Sequence, residues 1–149
     1  MFNTDPIISW HVPYDDAESF LTTASAAIDN WNTLKVFFDP VPHHPSMIIV
    51  AFDIENTDSD HQVSAFTFTN CLCKTIYNYV STLNPTEIII FPAATDSRYK
   101  LWQRLTSRDA ATYGYSAGGD EVVNPLLKSS LLDPHYKIVT WVKNRDNNR

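Results

Sequence analysis

The residues that most invite a chemical reading are Asp53 and Glu55, inside the run "MIIVAFDIENTDSDH" at 47–61. A strand sends alternate side chains to one face, so an Asp-x-Glu step sets two carboxylates side by side. Two carboxylates so placed can share a pair of divalent cations, Mg²⁺ or Mn²⁺, and such a pair clamps both oxygens of a phosphodiester displacement. The alternative is structural. Ile48, Val50, Phe52 and Ile54 form one apolar face of the strand, while Met47, Ile49, Ala51, Asp53 and Glu55 turn polar towards its end. That is how a half-buried strand looks where it leaves a core.

The hexapeptide "AFDIEN" resembles the first metal-binding motif of the metal-dependent exonucleases of the DEDD type. That likeness covers six residues, and the family's site implies further carboxylates. One follows an Asn-bearing segment, and another lies four residues beyond a Tyr or His. The acids beyond residue 61 are Glu87, Asp96, Asp109, Asp120, Glu121, Asp133 and Asp146, and none has that setting. A nuclease using Asp53 and Glu55 therefore stands as the alternative, and the expectation leans away from catalysis.

Other chemistry-bearing groups are weaker. His43, His44, His61, Cys71 and Cys73 lack the paired spacing that structural zinc takes. On a helix, Cys71 and Cys73 point about 200° apart, so they neither close on one ion nor bridge each other. Their expected place at a helix start can lower a thiol pKa, yet no base can be set beside them, and small core residues are the simpler reading. No glycine pattern of a phosphate loop occurs. Gly114, Gly118 and Gly119, the only glycines, fall in one expected loop, 109–135.

The remaining candidate is a basic stripe. Lys100, Arg104 and Arg108 are spaced by four on an expected helix over 97–108, and Arg98 stands near its start. Such an edge suits an acidic protein surface or a small anionic ligand, although a solvated helix face has the same pattern. It could also meet the acidic half of a second copy and drive self-association.

These residues need elements to hold them. Apolar steps of three and four predict a first helix over 13–31, with Asp15 and Glu18 spaced as a capping box. A short strand at 34–38 and a stiff proline loop, "DPVPHHP", follow. Strands at 47–55 and 62–70 are expected as a hairpin, then a helix over 71–84. "TEIIIF" at 86–91 reads as a strand covered on both faces, and the 97–108 helix buries Leu101, Trp102 and Leu105. A final strand spans 135–143, and 144–149 is a tail. The order helix-strand-strand-strand-helix-strand-helix-strand predicts an α+β fold, a single domain over 1–149 with a mixed, mainly antiparallel sheet and about three helices.

Composition narrows the partners. At 149 residues with 44% hydrophobic and 19% charged residues, the chain suits one folded soluble domain. It has no apolar run of the roughly 20 residues a membrane helix needs. The first residues show no basic, signal-like segment. A cytoplasmic protein is expected. The net charge of −6 is uneven: residues 1–73 hold ten acids and one base, Lys35, and residues 74–149 hold seven acids and ten bases. An acidic total disfavours general nucleic-acid binding, which needs a basic surface.

The run "EIIIFPAATDSRYKLWQRLTSR" resembles a pattern found in small proteins and domains encoded by tailed phages and their relatives. There a strand I-x-F-x-A leads through a short turn to a helix beginning S-R-x-K-L-Y-x-R-L. The matching residues are Ile89, Phe91, Ala93, Ser97, Arg98, Lys100, Leu101, Arg104 and Leu105, with Trp102 at the usual Tyr. The likeness in element order spans about 46–143 and leaves out the first 45 residues. It implies a phage origin and an accessory or host-facing role, with no activity to transfer. The expectation is a non-catalytic binding protein in the cytoplasm of an infected bacterium. Its protein partner, or an anionic ligand, would meet Arg98, Lys100, Arg104 and Arg108 together with the loop 109–135; a structural or assembly subunit is the further alternative.

Overall fold

In the computed structural model the described residues are 7–11, 22–41, 44–82, 86–128 and 136–144. They form an α+β protein with a mixed, mainly antiparallel sheet and three α-helices, the class expected. Its contacts divide into two compact units, Met1–Pro40 with Val50–Asn84, and Val41–Ile49 with Pro85–Arg149.

The first unit holds β1 (Ile7–His11), β2 (Thr22–Ala27), most of β3 (Asn32–Val41) and the later part of β4 (His44–Asn56), in that order. β1 and β2, and β2 and β3, run antiparallel. Ala24 and Ala26 stand opposite Val36 and Leu34, and all four are fully buried. The alanines leave room on that face for the helix α1 (Ala65–Val80). Leu72, Ile76 and Val80 of α1 are buried, Tyr79 stacks on Phe38 at 4.0 Å and Phe68 meets Phe52 at 5.3 Å. Burying each large side chain stabilises this layer by about 1.5–3 kcal/mol.

The second unit orders its strands β4, β5 (Ile88–Ala93), β7 (Lys137–Lys143) and β6 (Tyr115–Ala117). Met47 to Ile49 pair parallel with Ile88 to Ile90, and β7 runs antiparallel to both β5 and β6. One face packs under α2 (Asp96–Asp109), where Phe91 stacks on Trp102 at 4.3 Å and meets Trp141 edge-on at 5.1 Å. On the other face Val41, Ile90 and Ile138 pack with Val122 and Val123 of α3 (Asp120–Lys128). Coverage on both sides explains the unbroken apolar run of β5.

Four expectations are corrected. Of the predicted helix over 13–31, Thr22–Ala27 is a strand and 28–31 the bend that follows; its capping box lies outside the described residues. Small and β-branched residues fit either period, and pairing with β3 decides for the strand. The expected proline loop is largely strand, because β3 runs through Pro40 to Val41 and β4 begins at His44; 42–43 lie outside the described residues. The predicted strand over 62–70 is instead the entry to α1. Ser64 caps that helix by accepting the Thr67 N–H at 3.2 Å, and Phe68, Leu72 and Ile76 continue its inward stripe. The expected loop after α2 is also structured: a 3-10 turn (Ala110–Tyr113), β6 and α3 occupy it as far as Lys128. Gly114 ends the 3-10 turn at φ 86°, a left-handed conformation that glycine adopts without strain.

Candidate functional site

Asp53 and Glu55 are both exposed on the odd-numbered side of β4. Glu55 forms an ion pair with Lys35 of β3, and Asp53 Oδ1 accepts the Ile54 N–H at 2.9 Å. Among the described residues no group of three or more His, Cys, Asp or Glu is arranged to hold a metal ion. The structure thus brings Glu55 to a neighbouring lysine, and no third carboxylate gathers with the pair among the described residues.

Cys71 and Cys73 lie within α1, both buried, rather than at a helix start. Burial pushes the Cys71 thiol up from its ordinary value, against smaller opposing effects of the Thr75 hydrogen bond and the Lys74 charge. That is the opposite of an activated thiol. His61 is part of a polar knot. Its ring stacks on Trp31 at 3.5 Å and its Nδ1 lies 3.0 Å from Asp58 Oδ2. Beside it the buried Asn32 donates from Nδ2 to the His61 carbonyl at 2.7 Å and to Asp29 Oδ1 at 3.1 Å. Asn32 Oδ1 in turn accepts from Asn56 Nδ2 at 2.6 Å. The knot ties the β2–β3 turn to the segment after β4, and its buried polar groups are answered within it.

The basic stripe is carried by α2. Lys100 and Arg104 are exposed. Arg108 is engaged with Asp109, through Nε at 2.9 Å and Nη2 at 2.8 Å, and Arg98 is half-buried. The helix beneath them is firmly held. Thr95 caps it by accepting the Arg98 N–H at 3.2 Å, and Trp102 and Leu105 are buried. Thr106 Oγ1 donates to the Trp102 carbonyl at 2.7 Å and accepts the Trp141 indole N–H at 2.7 Å. Asp96 in the first turn and Arg108 in the last both suit the helix dipole. Lys137 reaches across from β7 to Asp96 at 3.0 Å and lies 5.3 Å from the centre of the Tyr99 ring. Its hydrogen bond, then its charge, hold the Asp96 carboxyl below the usual carboxylate range.

Sequence reading did not reach a cleft of about 350 Å³ in the second unit. Its floor is β7 at 138–140, next to the point where β6 ends at Ala117. One wall is α2, with Tyr99, Gln103 and Ser107; the other is the turn at Gly118 and the start of α3, with Asp120 and Val123. Gly118 donates its N–H to the Thr140 carbonyl at 2.9 Å. A Cβ at Gly118 would stand 1.9 Å from Thr140 Oγ1, so the close approach of turn and strand requires glycine. Thr140 is 2% exposed, and its hydroxyl has no hydrogen-bond partner among the described residues. The available signals were a Gly-Gly pair and a lone threonine in an otherwise apolar stretch.

No helix among the described residues is long and apolar enough to cross a membrane. Compared with family models, with curated proteins and with solved structures, the chain gives no match to any of them.

Proposed function

We propose that the chain works by binding, as an accessory protein of the kind tailed phages encode, and that the outer edge of α2 is its contact surface. The observation that carries this reading is a pair of exposed cations, Lys100 and Arg104, one turn apart on a helix fixed by Trp102, Leu105 and Thr106. A rigid support lowers the ordering cost of association, so charge on it contributes more to capture than charge on a mobile loop. The excess of bases after residue 73 supports an acidic protein surface as the partner, and a small anionic ligand would use the same edge. Arg108 shapes the end of the stripe through Asp109, and Arg98 contributes near its start. This role places the protein in the cytoplasm of an infected bacterium.

The test is affinity capture with the native chain and with the double variant Lys100→Glu, Arg104→Glu, both checked for folding by circular dichroism. A partner bound through this edge loses about tenfold or more in affinity, and its native binding weakens as salt rises. An identical captured set with salt-insensitive affinity overturns the reading. Sedimentation of the two proteins alone separates a second copy from a foreign partner.

A further inference from the structure

Independently of the basic edge, we infer that the cleft between α2 and α3 is a binding site for a small, uncharged, hydroxyl-rich molecule of monosaccharide size, with the Thr140 hydroxyl as its deepest hydrogen-bonding group. Three observations lead there. The first is Thr140 itself. A buried hydroxyl without a partner is costly, and valine would fill the same space without that cost. Here the hydroxyl lies at the floor of a cleft, screened on the turn side by a residue with no side chain, Gly118. A ligand hydroxyl that settles over Gly118 gives Thr140 both a donor and an acceptor, with a small movement of the turn.

The second observation is the charge of the walls. Among the described residues neither lysine nor arginine lines the cleft, and one carboxylate, Asp120, does. An anion is repelled there. An alcohol is welcome, because an ionised carboxylate accepts a strong, short hydrogen bond from a hydroxyl. Gln103 and Ser107 on the opposite wall add neutral groups that both donate and accept. The third is shape and size. A volume of about 350 Å³ lies at the small end of the roughly 300–1,000 Å³ of ligand pockets. Tyr99 and Val123 supply apolar surface for the C–H face of a ring, and Tyr99 is steadied by the Lys137 ammonium and its link to Asp96.

The experiment is amide-resolved NMR on the full chain, titrated with millimolar neutral hexoses, pentoses and N-acetylhexosamines. Inorganic phosphate, a simple primary amine and an uncharged tripeptide are the comparison probes. At least one sugar is expected to shift the amides of Gly118, Asp120 and Thr140, and to bind about tenfold more weakly to Thr140→Val and to Asp120→Asn. The melting temperature of Thr140→Val is expected to equal or exceed that of the native chain, which keeps the loss of binding apart from a loss of fold. The inference is overturned if no sugar shifts those amides, if phosphate, the amine or the tripeptide does so instead, or if Thr140→Val binds sugar as the native chain does. A lowered melting temperature for Thr140→Val also overturns it, since the hydroxyl would then have a structural partner.

Discussion

The two units bury polar groups in opposite ways. In the first, Asn32 is 2% exposed and its amide is hydrogen-bonded at both ends, to Asp29, Asn56 and the His61 carbonyl. In the second, Thr140 is equally buried and its hydroxyl is left without a partner among the described residues. A buried group whose bonds are all made specifies a fold, because every alternative packing leaves something unpaired. A buried group with none marks a place the fold has not finished satisfying. Charge divides in the same manner. Glu55 and Lys35 answer each other in the first unit, whereas Lys100 and Arg104 point outward in the second.

The polar knot of the first unit depends most on Asn32. Asn32→Ala strips partners from Asp29, Asn56 and the His61 carbonyl, and is expected to lower stability by about 2–3 kcal/mol in urea unfolding. A loss below about 0.5 kcal/mol would show that water replaces the knot without cost. Gly118→Ala comes next. The new methyl overlaps Thr140 Oγ1 and costs about 1–3 kcal/mol by overpacking. Pairing it with Thr140→Ala should restore part of that loss, because the two positions share one contact; strictly additive losses would deny the contact.

The ion pair at the start of α2 is worth least. Lys137→Gln removes the hydrogen bond and charge that hold the Asp96 carboxyl low. The Asp96 titration followed by NMR should therefore move up, towards the ordinary carboxylate range. The folded group titrates below its unfolded value, so its stabilising effect is present above that unfolded value and fades as pH falls through the folded one. Both partners are well exposed, so salt should weaken the effect and the native melting temperature should barely change. An unmoved titration would mean that Lys137 is no partner of Asp96 in solution.

Parts of this architecture were legible in residue order. The alternation of Ile48, Val50 and Phe52 and the continuous run of β5 each fit one period and one length, so their strands could be read directly. Trp102 and Leu105 likewise gave the inward face of α2. Ala24, Ser25 and Ala26 could not be read this way. Residues so small satisfy a helical stripe and a strand equally, and only Leu34 and Val36 across the ladder settle the matter. Phe66 and Phe68 alternate with threonines as a strand would, yet the Ser64 cap and the stripe running on to Ile76 carry them into α1. The cleft was the least legible feature, since Tyr99, Gly118 and Thr140 lie far apart in the chain.

By itself, then, the sequence determined which residues repel water, which carry charge and with what local period, because those are properties of side chains and near neighbours. It determined the α+β class, the basic edge of α2 and the polar end of the strand bearing Asp53 and Glu55. Tertiary structure alone decided that β2 is a strand, that Glu55 is answered by Lys35 and that Thr140 has no partner among the described residues. Each of these depends on a partner distant in the chain, and pairing at a distance is fixed by the packing of the whole unit.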